Sequence, residues 1–571
     1  TNADALAATM NAAHLRFCFP KRHFQTWIFM SNSKLRTRLI AALAVVMLAA
    51  GAARLLPGPR TIDDAFITFR YSRNLVEGHG FVYNAGVHTL GTTTPLFTLL
   101  MAAISFITGR SDFPTYALVV SALADSGTAA LLLLLAQRLT GSNLAGFALG
   151  LLWAVAPRSV TFAVGGMETS VIILWMALAV WSYVNQHERL LGLFAGLGLL
   201  TRVDAALWVG LLLLAQLIER WRSTQRLSVS SLPWSTWLMA GLVILPWLVF
   251  ATGYFGSPLP NSLSAKSVAY TLPPGAAFGT FLTAYSTPFL EYETIGTGAM
   301  VTGVIYLALS LFGIAYAARR LPRAVPFLLY PWLYLFVFSL ANPLVFRWYL
   351  APPMPALMLS LIIGAWSLFS AFGRTMHMRR FPVVGLASVV SVWLAFSLNA
   401  WTLHPDHGSD RPAPLMAWHK IELLYEAVGR RLRDEFGVTA ETRVASADIG
   451  AIGYFSGATI IDTVGLVTPE LTRYYPVPSE LVPAGQNYAI PPQLILDTQP
   501  EYLVTMEAFV RLGLEQSPVF QTHYELIHET PTDFYGTGMR VYRRVDRPAS
   551  EATGANSHYR DSAAFALHLS Q

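Results

Sequence analysis

Residues 61–76 read Thr-Ile-Asp-Asp-Ala-Phe-Ile-Thr-Phe-Arg-Tyr-Ser-Arg-Asn-Leu-Val, directly after the first long apolar segment of the chain. The stretch holds two adjacent carboxylates, Asp63 and Asp64, and two arginines, Arg70 and Arg73. Charge of this density is rare where a membrane helix ends, and ionisable groups at such places usually serve a function. The segment therefore marks where we expect the chemistry of this protein.

The same segment is predicted to be a helix. Thr61 can cap its N-terminus, and Asp64 three residues later would complete a Thr-x-x-Asp capping box. Helical spacing then places Asp63 and Arg70 on one face, roughly 10 Å apart along the axis. In the alternative interpretation, both aspartates only cap the helix and the arginines only meet lipid head groups.

The composition is that of a polytopic membrane protein. The chain has 571 residues, of which 54% are hydrophobic and 13% charged, whereas about a quarter of a soluble domain is charged. The net charge of +6 requires no nucleic-acid partner, because the basic residues concentrate in short loops between apolar segments. The one cysteine, Cys18, excludes an internal disulfide.

Changes of composition divide the chain into four parts. Residues 1–29 precede a Met with a basic stretch after it and are expected to have no role in the fold. Residues 30–402 form the membrane module, with a charged outer loop at 57–112. Residues 403–545 carry short β-rich runs and one amphipathic helix, which predicts a small α/β domain outside the membrane. Residues 546–571 are expected to be a disordered tail.

Basic residues indicate the orientation of the membrane module. Lys34, Arg36 and Arg38 place the N-terminus in the cytoplasm. Three later basic clusters are also cytoplasmic only if residues 94–108 do not cross the membrane. We therefore predict an interfacial or re-entrant helix at these residues. About eleven spans then remain, with the C-terminus outside. This topology collects the unusual polar residues on the extracytoplasmic side.

The motif at residues 63–86, Asp-Asp-Ala-Phe-Ile-Thr-Phe-Arg-Tyr-Ser-Arg-Asn-Leu and onward, resembles the GT-C superfamily of glycosyltransferases. Within that superfamily it is similar to bacterial cell-wall arabinofuranosyltransferases that add terminal sugars. Weaker matches are Gly-Met-Glu-Thr at 166–169, Leu-Thr-Arg-Val-Asp at 200–204, Pro-Asn…Ala-Lys at 260–266 and the 449–466 stretch. One departure is Gly-Thr-Thr-Thr-Pro-Leu-Phe at 91–97, where relatives often carry Gly-Tyr-Thr-Asn-Pro-Leu-Trp.

The resemblance implies an inverting enzyme that uses a polyprenyl-phosphate sugar donor and an acidic general base. Asp63 is the first candidate base and Asp64 the second, since a base must be ionised and within reach of the acceptor hydroxyl. The donor phosphate needs cations, and the remaining side chains suit sugar or acceptor. The candidates are Arg70, Arg73, Lys266 and Arg347 for phosphate, and Glu168, Arg202, Asp204, Asn261 and Tyr349 for sugar or acceptor.

Several alternatives stay open at this stage. Arg158, Arg202 and Arg347 could be interfacial anchors, and Glu168 could be a solvated loop acid. The whole chain could instead be a transporter or flippase of lipid-linked sugars, or a polymer-anchoring protein. The resemblance implies a bacterial plasma membrane, membrane lipids around the chain and a glycan or glycolipid acceptor. The sequence specifies no cofactor and no metal ligands, and it leaves a divalent metal open.

Overall fold

The computed structural model describes residues 33–225, 228–290, 297–405, 408–417 and 420–545. The extension predicted at 1–29 and the tail predicted at 546–571 lie outside these residues. The chain divides into a unit of residues 1–44 and a unit of residues 45–571. The candidate site and the C-terminal sheet both belong to the second unit.

Helices dominate the described chain, because a helix satisfies its backbone hydrogen bonds internally, as an apolar surrounding requires. The helices up to the C-terminal region are α1 Ser33–Leu55, α2 Asp63–Val76, α3 Pro95–Thr108, α4 Phe113–Thr140, α5 Asn143–Val155, α6 Pro157–Val164, α7 Thr169–Val184, α8 Glu188–Thr201, α9 Ala206–Thr224, α10 Trp234–Phe255, α11 Ser262–Ala269, α12 Ala276–Ser286, α13 Thr297–Arg320, α14 Val325–Ala341, α15 Met354–Thr375 and α16 Phe381–Asn399.

The predicted helical membrane fold is confirmed, but its predicted count of about eleven spans is not. Within the described ranges, seven helices are long and apolar enough to cross a bilayer, or eight if the bent pair α5–α6 forms one span. Other apolar segments fall short of the roughly 20 residues that a crossing needs; α3 has 14 residues and α7 has 16. Whether α3 lies in the interface stays a prediction.

The C-terminal region, residues 401–545, combines helices with a five-stranded sheet. Its helices are α17 Lys420–Asp434, α18 Gly450–Ser456, α19 Pro492–Thr498 and α20 Pro518–His523. Its strands are β1 Trp401–Thr402, β2 Ala413–Pro414, β3 Arg443–Ser446, β4 Thr459–Asp462, β5 Tyr502–Met506, β6 Tyr524–Pro531 and β7 Gly538–Arg544. The five-stranded sheet has the order β4-β3-β5-β7-β6, in which β3 pairs in parallel with β4 and β5 and the other pairs are antiparallel.

The C-terminal region packs directly on α2. The close approach depends on two glycines of α18, because a Cβ at Gly450 would lie 1.9 Å from the carbonyl oxygen of Asp63, and one at Gly453 would lie 2.0 Å from the hydroxyl of Tyr83. A second contact joins Ala413 and other small residues to the ends of α1, α4 and α6. The motif segment is therefore held between the membrane helices and the C-terminal sheet.

Candidate active site

Helix α2 begins differently from the sequence prediction. Its first residue is Asp63, the preceding Ile62 is in extended conformation, and no side chain caps this end. The backbone N–H groups of Arg60 and Ile62 donate to the carbonyls of Val164 and Gly165 at 2.8 and 2.9 Å. These two hydrogen bonds keep the chain extended as far as Ile62, so the helix begins only at Asp63. The capping box predicted from Thr61 and Asp64 is therefore wrong.

Asp63 is buried and binds the N-terminus of α18. Its carboxylate accepts hydrogen bonds from the backbone amides of Gly450 and Ala451 at 3.0 and 2.7 Å, and its own amide donates to Glu422 at 2.5 Å. Burial raises the pKa of Asp63 to about 8, with the carboxylate of Asp448 adding to the rise and the two amides opposing it. Asp63 therefore joins α2 to the C-terminal region.

Arg70 binds the other end of α18. It donates to the carbonyls of Gly453 and Ala458 at 2.7 and 2.6 Å, and also to the carbonyl of Tyr83 and the side chain of Asn84 at 2.8 and 3.2 Å. A cation is favourable near the carbonyl end of a helix. The guanidinium is buried and binds four oxygens of the protein.

Three other predicted residues also lie outside the candidate site. Arg73 donates to the carbonyl of Tyr454 at 3.0 Å and lies over that ring. Asn261 donates to the carbonyl of Gly465 at 2.7 Å. Arg347 is exposed and donates to the sulfur of Met416 at 3.3 Å. Each of them contacts the C-terminal region.

A cavity of about 690 Å³ brings the remaining predicted residues together. It lies between α2, the loop after residue 90, the start of α9, helix α11 and the end of α14. Six of the predicted polar residues line it: Asp64, Glu168, Arg202, Asp204, Lys266 and Tyr349. We refer to this space as the site cavity.

Asp64 and Lys266 form an ion pair in the site cavity, with 3.5 Å between carboxylate oxygen and Nζ. The ammonium also lies 4.4 Å from the centre of the Phe346 ring. Burial acts to lower the pKa of Lys266, but the charge and hydrogen bond of Asp64, together with Tyr349 and Asp462, outweigh it and the pKa is raised overall. Lys266 therefore stays charged inside a partly desolvated space.

Arg202 is the centre of a second charged group. Its Nε and Nη2 bind both oxygens of Asp204 at 2.9 Å, its Nη1 binds Glu168 at 3.0 Å, and its guanidinium lies 4.8 Å from the centre of the Tyr349 ring. Tyr334 donates to Asp204 at 2.7 Å. Such bidentate pairing fixes both carboxylates in place. Each carboxylate keeps lone pairs that can accept from sugar hydroxyls.

The rest of the site cavity is mostly apolar. Its further lining includes residues that the sequence did not single out: Leu207, Leu263, Tyr270, Leu272, Val337, Phe338, Leu344 and Trp348. A ligand with a charged head and a hydrocarbon chain matches this division. The sequence could have indicated two of these residues, because Leu263 lies within the Pro-Asn…Ala-Lys match and Trp348 precedes the predicted site residue Tyr349.

The described ranges contain no group of three or more His, Cys, Asp or Glu side chains placed to hold a metal ion. The acids of the site cavity are spread over α2 and two loops, and each of them is paired with Arg202 or Lys266.

Two solved structures share this fold. ArnT from Cupriavidus metallidurans in the apo state matches with a TM-score of 0.55 and 12% identity, covering 90% of this chain and 99% of that chain. The same protein bound to undecaprenyl phosphate matches with a TM-score of 0.51 and 13% identity, covering 89% and 98%.

The sequence is similar to terminal β-(1→2)-arabinofuranosyltransferases, which confirms the resemblance inferred from the motif. The protein of Mycobacterium tuberculosis is 26% identical over 225 residues, covering 36% of this chain and 35% of that protein. That of Corynebacterium glutamicum is 25% identical over 246 residues, covering 36% and 33%. This chain thus matches about a third of the length of these curated relatives. Residues 416–549 match a family model described as Domain of unknown function (DUF8728).

Proposed function

We propose that this protein is an integral membrane glycosyltransferase that moves a sugar from a polyprenyl-phosphate donor to a cell-envelope glycan or glycolipid. The observation that carries the proposal is the site cavity, in which Asp64, Lys266 and the Arg202 group lie at the polar part of a mainly apolar space. A prenyl-phosphate sugar likewise has a polar sugar-phosphate head and an apolar hydrocarbon chain. Similarity to terminal arabinofuranosyltransferases favours arabinofuranose as the sugar.

In the proposed reaction, Asp64 is the general base. It takes the proton from the acceptor hydroxyl as that oxygen attacks the anomeric carbon, and the prenyl phosphate leaves from the opposite face with inversion. Lys266 neutralises the phosphate. When the donor phosphate binds Lys266, the Asp64 carboxylate loses its ion-pair partner and can accept a hydrogen bond from the acceptor hydroxyl instead. Donor binding would thus prepare the base for the acceptor.

Glu168 and Asp204 are proposed to accept hydrogen bonds from sugar hydroxyls, and Tyr349 to lie against the sugar ring. Arg202 positions both carboxylates. This arrangement supplies fixed acceptors that need no reorganisation when the substrate binds. The roles of these residues are thus separate from that of the base.

The orientation proposed from the sequence places the site cavity on the extracytoplasmic side of a bacterial plasma membrane, with the N-terminus in the cytoplasm. Helix α9 supports it, because Asp204 precedes its first residue and Arg220 lies near its other end. At that other end Arg323 pairs with Glu219. The basic residues and the site cavity therefore lie at opposite ends of the bundle, as the positive-inside rule expects.

A transporter of lipid-linked sugars remains the second candidate, and one observation bears on it. Asp125 lies in the middle of span α4 and is paired with Arg54 at 2.9 Å. The sequence interpretation, which located charge only at span ends, missed this pair. Arg54 also binds the carbonyl of Ala154 and the hydroxyl of Ser159 next to the break between α5 and α6. These bonds tie the broken helix in place, which is a structural use of the charge.

The experiment that tests the proposed function uses the purified chain in liposomes with synthetic prenyl-phosphate sugars and a panel of glycan acceptors. We expect acceptor-dependent release of prenyl phosphate from one donor, and no release by the Asp64→Asn variant. Movement of an intact donor across the bilayer without cleavage would instead establish the transporter.

A further inference from the structure

A second cavity, of about 550 Å³, lies on the other side of α2 from the site cavity. It is bounded by residues 59–61, by the turn before α4, and by α17 and α18 of the C-terminal region. Thr61, Phe66 and Arg73 of the motif segment face it, whereas Asp64 and Ile67 face the site cavity. We refer to this second space as the arginine groove.

Four arginines line the arginine groove: Arg60, Arg73, Arg430 and Arg433. Two acids, Glu422 and Glu426, also line it. Burial, followed by the neighbouring carboxylate of Asp63, raises the pKa of Glu422 well above its ordinary value. The groove therefore carries a positive excess.

Part of this charge is available to a ligand. Arg73 makes one hydrogen bond to the described residues, from Nη1 to the carbonyl of Tyr454, and this leaves its Nε and Nη2 without a partner among them. Arg430 pairs with Glu426 on the same exposed helix face and lies 4.4 Å from the centre of the Phe455 ring. Exposed pairs of this kind are weak and exchange readily for a phosphate.

The arginine groove borders the ends of two helices that are long and apolar enough to span a membrane. Pro59 and Arg60 follow the candidate span that ends at Leu55, and Pro114 is in the first turn of the candidate span Phe113–Thr140. Leu55 itself is exposed. Lipid head groups around these spans would therefore meet the groove, beside which the aromatic rings of Tyr454 and Phe455 form a wall.

We propose that the arginine groove binds the phosphate head group of an anionic phospholipid at the membrane surface. Arg73 forks onto the phosphate, and Arg430 and Arg433 close the groove from the C-terminal region. One lipid head group would then hold α17 and α18 against α2. This site is separate from the donor site and does not depend on the proposed reaction.

The test measures lipid binding by the purified full chain in phosphatidylcholine nanodiscs into which phosphatidylglycerol is titrated, with the thermal unfolding midpoint as the signal. Separate arms add phosphatidylcholine alone or inorganic phosphate at the same concentration. The variants are Arg73→Gln and Arg430→Gln, the second on an exposed helix face where folding is retained. The matched control is Arg473→Gln, which removes an exposed arginine elsewhere in the C-terminal region.

We expect phosphatidylglycerol, and neither other arm, to raise the midpoint. Each groove variant should weaken its apparent affinity about fivefold, as the loss of one basic residue near an anionic surface does, and Arg473→Gln should not. Equal binding by wild type and both groove variants would overturn the site. An equal effect of inorganic phosphate would overturn the lipid assignment, since the groove would then hold a free anion.

Discussion

Asp63 and Asp64 are neighbours in the chain, but their carboxylates bind different parts of the protein. Asp63 accepts from the amides of Gly450 and Ala451, while Asp64 lies 3.5 Å from Lys266 in the site cavity. Consecutive side chains of a helix point about 100° apart, which allows this division. We therefore propose the reverse of the roles that the sequence suggested, in which Asp64 was structural and Asp63 was free to take a proton.

The first prediction concerns the base. Asp64→Asn should fold normally and lose turnover by about 10²–10⁴-fold, the usual contribution of general-base catalysis. Asp63→Asn should lower the free energy of unfolding by roughly 1–3 kcal/mol, because an amide N–H of α18 loses its acceptor. The measurements are prenyl-phosphate release and unfolding midpoint on the same preparations.

The outcome that would contradict this assignment is specific. If folded Asp63→Asn loses turnover by the larger factor and Asp64→Asn keeps it, the base is Asp63 after all. If neither variant loses turnover, the proposed reaction does not take place in this cavity.

The second prediction concerns Arg70. Arg70→Lys should be destabilised by about 2 kcal/mol or more, because one ammonium cannot replace the planar guanidinium that binds four oxygens. The donor KM of the folded fraction should stay unchanged, since Arg70 does not line the site cavity. Arg73→Lys, with one hydrogen bond to replace, is the control and should unfold near the wild-type midpoint. A raised donor KM with normal stability would restore the phosphate role predicted from the sequence.

The sequence singled out residues 61–76 because their charge stands out against an apolar background. Six polar residues predicted for the site line the cavity. Five of them come from four motif matches far apart in the chain, and Tyr349 lies outside these matches. The assignments that changed depend on partners that spacing cannot show. Arg70 binds a carbonyl 388 positions away, and helical periodicity carries no information about such a contact. The Asp125–Arg54 pair was missed for the same reason, with its partners 71 positions apart.

The third prediction concerns Lys266. Lys266→Ala should raise the KM for the prenyl-phosphate donor by about tenfold or more, corresponding to a lost charge-assisted contact of roughly 1.5–3 kcal/mol, with little change in acceptor KM. Lys266→Arg should recover part of the loss, because the positive charge is kept. The control is Lys420→Ala, an exposed lysine outside the site cavity. Equal effects on donor and acceptor KM would count against a phosphate role.

The last prediction concerns pH and the acids between α2 and the C-terminal region. Burial raises the pKa of Asp63 to about 8 and that of Asp448 to about 6, from an ordinary value of 3.8. Between the ordinary value and these raised values, these groups bind more protons in the folded chain than in the unfolded chain. The stability of the fold should therefore fall as pH rises from about 4 to about 8. Asp448→Asn removes one group of raised pKa and one cause of the raised pKa of Asp63, so stability should fall less steeply with pH.

Asp533→Asn changes an exposed acid of the same region and should keep the wild-type dependence of stability on pH. The measurement is the unfolding midpoint of each variant between about pH 4 and pH 8. A midpoint that rises with pH would contradict the prediction and show that the amides of α18 keep Asp63 ionised.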